Sequence, residues 1–126
     1  MDKYRIMVVD DSRVVYAEMM KMLKDSEIEI VSFCRSGEEA LEKYEEVKPD
    51  LVTMAIVMPG IDGMETCAKM RERWPDSNIF MVSSMAYNDM IDRAVALGAK
   101  GFLFKPFTRE NLLEGLRGAL KSVAKC

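Results

Sequence analysis

The chain has 126 residues, 49% hydrophobic and 31% charged, which suits one soluble domain with a single core. A net charge of −3 gives no basic footprint for nucleic acid; with no apolar run near the ~18 residues of a membrane span and no signal peptide before Lys3-Tyr4-Arg5, a cytoplasmic location is expected. The absence of histidine removes the usual general base, and Cys34, Cys67 and Cys126 form no CxxC pair, so neither a Ser-His-Asp triad nor a zinc site is expected.

Tyr4 to Val9 is a short apolar run ending at Asp10-Asp11 and reads as a first strand. Ser12 caps a helix with Val15, Met19, Met22 and Leu23 on one face. Ile28 to Phe33 is a second strand, partly alternating and so suited to an edge. Ser36-Gly37-Glu38-Glu39 is a capping box opening a helix with Ala40, Leu41, Tyr44 and Val47 inward, stopped by Pro49. Leu51 onward is a buried third strand, ending in a turn rich in Pro and Gly. Asp62-x-x-Glu65 opens the next helix, which buries Met64, Cys67 and Met70 and ends before Trp74-Pro75.

Ile79 to Val82 is a continuous apolar strand closing on Ser83-Ser84. A helix follows with Met90, Ile91, Ala94, Val95 and Leu97 inward, ended by Gly98. Gly101 to Phe104 is strand five, meeting Lys105-Pro106. Thr108 caps a last helix carrying Leu112, Leu113, Leu116, Ala119, Leu120 and Val123. Gly115 and Gly118 within it, each costing roughly 1 kcal/mol relative to Ala, read as tolerated surface glycines ahead of the alternative, a close packing surface. The twelve methionines read as core filler, and the cysteines as two buried thiols and one loose terminal thiol, Cys126. Strands alternating with helices imply a doubly wound α/β domain, residues 1–126, with a five-stranded parallel sheet and five helices.

In such a sheet, ligands bind at the carboxyl ends of the strands. Strand one delivers Asp10 and Asp11 there, strand three Ala55, strand four Ser83 and strand five Lys105. Strand two delivers nothing comparable, as expected for the flavodoxin-like order 2-1-3-4-5, for which CheY is a standard example. Adjacent carboxylates are costly unless a cation neutralises them, and an all-oxygen acidic site suits Mg²⁺. A lysine and a hydroxyl beside it complete a pocket suited to a phosphoryl group.

At these residues the chain resembles the receiver domain of bacterial response regulators, in its stand-alone CheY-like form. The carriers are Val8-Val9-Asp10-Asp11-Ser12, Met58-Pro59-Gly60-Ile61-Asp62-Gly63, Val82-Ser83-Ser84 and Gly98 through Phe107. The resemblance implies a Mg²⁺ site of Asp10, Asp11 and the backbone carbonyl of Val57. It makes Ser83 the switch hydroxyl, Phe102 the switch aromatic and Lys105 the phosphate-pairing lysine, with Lys105-Pro106 a cis peptide. It further implies a sensor histidine kinase or phosphotransfer protein as phosphoryl donor, and a downstream target bound through helix four, strand five and helix five. The domain would be a monomer or weak dimer, with no direct contact to nucleic acid or membrane, and chemotaxis is the commoner setting for a receiver without an effector.

The family pattern places the acceptor aspartate at position 55, where this chain has Ala55. Alanine offers no oxygen to a phosphoryl group, so the chain is expected not to be phosphorylated there, to be no enzyme, and to bind Mg²⁺ more weakly. Two explanations compete. Retention of Asp10, Asp11, Ser83 and Lys105 favours an engineered or otherwise isolated replacement of the aspartate. The alternative is a natural pseudo-receiver, a protein-interaction module independent of phosphorylation. A flavodoxin-type cofactor carrier shares the architecture, but Asp10-Asp11 would repel its phosphate at the first loop.

Overall fold

Strands that are apolar along their whole length need cover on both faces, and helices on both faces supply it here. The computed structural model describes residues 3–84, 88–121 and 123, the side chain of Asn88 excepted. In chain order the elements are β1 (Tyr4–Val9), α1 (Arg13–Leu23), β2 (Ile28–Cys34), α2 (Gly37–Val47), β3 (Leu51–Ala55), α3 (Gly63–Arg73), β4 (Ile79–Ser83), α4 (Asn88–Ala96), β5 (Gly101–Phe104) and α5 (Arg109–Leu120). The strands form one parallel sheet in the order β2-β1-β3-β4-β5, as the sequence implies. Among the described residues no helix is long and apolar enough to cross a membrane.

Strand residues alternate between two cores. Met7, Val9, Val52, Met54, Ile79 and Met81 pack under α2, α3 and α4, while Ile6, Val8, Leu51, Phe80 and Val82 pack under α1 and α5. Seven methionines, Met7, Met19, Met54, Met58, Met64, Met70 and Met81, are buried, the filler role expected of them. Cys34 and Cys67 are buried free thiols. Burial pushes both thiols above their ordinary range, Cys67 to about 11, which keeps them protonated and inert at neutral pH. Cys126 lies outside the described residues.

The helix starts follow the local chemistry of their caps. The hydroxyls of Ser12, Ser36 and Thr108 and the carboxylate of Asp62 each accept from the backbone N–H three residues on. At Ser36 the return bond of the capping box is displaced by one residue: the Glu39 carboxylate accepts from the N–H of Arg35, at 2.9 Å, rather than from Ser36. Helix α2 stops on Lys48, which takes a left-handed conformation (φ 47°) just before Pro49. Gly98, at φ 91°, ends α4 as expected.

Two sequence readings change, and one irregularity is added. Val95 points outward, 66% exposed, because α4 buries only a narrow face centred on Ala94, with Met90 and Leu97 packed beside it. Gly115 is a close-packing position: a Cβ there would come within 2.9 Å of the buried Phe80 ring, whereas Gly118 faces open space. Phe80 is also pressed against Gly101, where a Cβ would lie 2.7 Å from the ring, so one aromatic seats both β5 and α5. Finally, the pairing of β1 with β2 shifts between Ile6 and Met7, leaving Val31 as the extra residue of a bulge. Strand β2 lies at the sheet edge, as its partial alternation implies, and the bulge breaks the alternation further.

Candidate functional site

The parallel topology brings four strand ends to one edge. Asp10 follows directly on β1, Ala55 is the last residue of β3, Ser83 the last of β4, and Lys105 follows on β5. Asp10 is only 2% exposed, and Ala55 and Ser83 are equally buried. A lone buried carboxylate would be costly, and Asp10 is not alone. Its Oδ1 accepts from the Ser12 N–H at 2.9 Å, and its Oδ2 accepts from the Lys105 ammonium at 2.7 Å. Lys105 lies at the end of β5, so its side chain reaches past the ends of β4 and β3 to meet β1. The 95-residue separation of this pair makes it a product of the sheet order alone.

Backbone bonds fix the surrounding loops. The Lys105 N–H donates to the Ser83 carbonyl at 2.9 Å, and the Lys105-Pro106 peptide is cis, as expected. Beyond β3, Ile56 and Met58 stay buried while the Val57 side chain turns out, 63% exposed. The Gly63 N–H returns to the Ile56 carbonyl at 2.7 Å, and a Cβ on Gly63 would overlap the carbonyl oxygen of Ala55. The start of α3 is therefore drawn tightly against the end of β3, a closeness only glycine permits.

Asp11 presents an exposed side chain, and its backbone carbonyl accepts a long 3.4 Å bond from the Arg35 guanidinium. Among the described residues no three His, Cys, Asp or Glu side chains gather into one cluster; Asp10 and Asp11 are a pair without a third. Their oxygens, with the carbonyl of Val57, are the hard donors that Mg²⁺ takes. The Lys105 ammonium already stands as a positive charge against Asp10. The donor set thus fits a small divalent cation, with one carboxylate fewer than a richer site would supply.

Phe102 does not line this edge. It is half-buried in β5, packed on the core under α2 to α4, with its ring 5.1 Å from that of the exposed Phe104. The sequence reading missed Glu38, whose carboxylate accepts from the Ile61 N–H at 3.2 Å. The bond joins residues 23 positions apart, and no local pattern announces it.

Comparison with known proteins agrees with this arrangement. A family model described as the response regulator receiver domain matches residues 6–117. The chain is 38% identical over 117 residues to the chemotaxis protein CheY of Listeria monocytogenes, spanning 93% of this chain and 98% of that protein. It is 35% identical to CheY of Bacillus subtilis over the same length and shares. Among solved structures, a CheX-CheY-BeF3-Mg complex from Borrelia burgdorferi matches with a TM-score of 0.87 and 26% identity, covering 91% of this chain and 87% of that one. The response regulator domain of Thermotoga maritima CheB matches with a TM-score of 0.87 and 29% identity, covering 97% and 99%.

Proposed function

Since the chain belongs to the response regulator receiver domain family, we propose that it is a CheY-like receiver whose phospho-acceptor position is occupied by Ala55. The observation that carries this reading is the position of Ala55. It is buried at the end of β3, between the strands that deliver Asp10 and Ser83, with Lys105 paired to Asp10. An aspartate there would take a phosphoryl group from a histidine kinase or phosphotransfer protein onto a carboxylate oxygen. Alanine cannot, so this chain is not phosphorylated at that position and does not catalyse its own phosphoryl transfer.

Asp10, Asp11 and the Val57 carbonyl would hold Mg²⁺, more weakly than with a third carboxylate. In a chain with an aspartate at position 55, the bound ion would neutralise phosphoryl oxygens. There Lys105, here paired to Asp10, would supply a second positive charge to the same oxygens, and the Ser83 hydroxyl a hydrogen bond. Ser83 and Phe102 form the switch: a phosphoryl group at position 55 would draw Ser83 inward and bias Phe102 toward the interior, a shift between two existing states. Output passes through the face of α4, β5 and α5, where Val95 and Phe104 are exposed large apolar side chains. Relatives bearing the name chemotaxis protein CheY support chemotaxis as the setting. The CheX-CheY complex supports output by protein contact.

Retention of the buried pair and of Ser83 supports an isolated or engineered loss of the acceptor. The alternative is a natural pseudo-receiver signalling by binding alone. Mass spectrometry after exposure to acetyl phosphate and Mg²⁺ tests the silence of the site: no phosphoryl adduct is expected on the chain, and a stoichiometric one would overturn the reading. Ala55→Asp is expected to restore labelling; failure to do so would favour the pseudo-receiver.

A further inference from the structure

The junction of β2 and α2 lies outside the row of strand ends, yet it touches both loops that carry the candidate oxygen ligands. The Arg35 guanidinium donates to the backbone carbonyl of Asp11, and the Glu38 carboxylate accepts from the N–H of Ile61. The second contact is the closer brace. Gly60 sits at φ 78°, and a Cβ on it would fall 2.6 and 2.9 Å from the two carboxylate oxygens of Glu38. The loop between β3 and α3 is therefore folded against Glu38 as closely as a bare backbone allows. Gly37 packs equally closely on the side chains of Ile61 and Thr66, and the Thr66 hydroxyl donates to the Asp62 carbonyl at 2.7 Å. Capping does not account for Glu38, because Ser36 and Glu39 make the cap bonds of α2.

We propose that Glu38 is a positioning residue for Mg²⁺, holding the loop of residues 56–62 that offers the Val57 carbonyl to the ion. The inference rests on the Mg²⁺ site proposed above. It assigns to α2, which contributes no ligand, the task of setting how one ligand loop stands relative to the other. Groups outside a metal's ligands tune its affinity by orienting those ligands; Glu38 would do so through the loop backbone, four residues from Val57.

The test is Mn²⁺ binding, followed by electron paramagnetic resonance on the full chain and on its Ala55→Asp variant, with urea midpoints measured in parallel. Glu38→Ala is expected to weaken binding about tenfold with little change in midpoint, since the side chain is exposed. Glu38→Gln keeps an oxygen for the Ile61 N–H and is expected to stay within about twofold. Glu42→Ala, one turn further along α2, removes the same charge without meeting the loop and is expected to behave like Glu38→Gln. Unchanged affinity in Glu38→Ala would overturn the proposal, as would equal losses in Glu38→Ala and Glu38→Gln. A different pattern would overturn the site itself: Mn²⁺ bound by neither background, or bound as well after Asp11→Asn.

Discussion

Helices α3 and α4 lie on the same face of the sheet and are held to it very differently. Helix α3 buries Gly63, Met64, Thr66, Cys67 and Met70, and its strand β3 is buried along all five residues. Helix α4 buries Ala94 alone among its described side chains, and β5 has no fully buried residue. The part that shapes the end of β3 is thus packed as a core, while α4 and β5, two of the three elements proposed for output, are thinly attached. Local opening costs least where little apolar surface is buried, so a bias applied at the strand ends finds its softest response at α4 and β5.

The largest test of this contrast truncates one side chain in each half. Met70→Ala, fully buried in α3, is expected to cost about 2–5 kcal/mol in urea unfolding, whereas Val95→Ala in α4 should stay within about 0.5 kcal/mol. Similar losses from the two would erase the distinction. A smaller effect is expected at the joint between the halves. Gly101→Ala would push against Phe80 and should cost about 1–3 kcal/mol, while Gly118→Ala, facing open space, should gain up to about 1 kcal/mol from helix propensity.

The smallest effect concerns the ion pair tying α5 to the entry of β2. The Arg117 guanidinium donates to both Glu27 oxygens, at 2.7 and 2.9 Å, and holds the Glu27 carboxyl at about 2 against an ordinary 4.5. A folded-state value below the unfolded one means the contribution is complete above about pH 4.5 and is lost as pH falls toward 2. The pair is half-exposed and salt-screened. Glu27→Gln should therefore destabilise slightly at pH 6 in low salt, and the difference should vanish near pH 2 and in high salt. A difference independent of pH would show that the pair contributes through packing rather than charge.

The strand order and the row of Asp10, Ala55, Ser83 and Lys105 were legible because each strand ends on a polar or turn signal within a few residues of its apolar run. Caps were legible for the same reason, being local chemistry. Val95 was misjudged because helical spacing marks a face without its width, and α4 packs on a narrow one. Gly115 follows the less favoured of its two readings, close packing, because its role is set by Phe80, an aromatic on another element. Glu38 falls within a capping-box pattern in the sequence, and its true partner, Ile61, lies on a loop that only the fold brings near. The contact of Lys105 with Asp10 is not legible at all: the sequence marks Lys105 as a partner for phosphate, and the pair spans 95 residues.

The single tryptophan follows directly on α3, where its ring lies 4.5 Å from Tyr44 with the Arg73 guanidinium 5.5 Å from its centre. Helix α3 starts at the candidate site and runs 11 residues, so Trp74 stands about 16 Å down its axis, at the far end. Its emission is consequently an optical gauge of the well-packed half. It will follow unfolding faithfully and stay dark to events at the strand ends, so a fluorophore meant to watch those events belongs on β5 or α4.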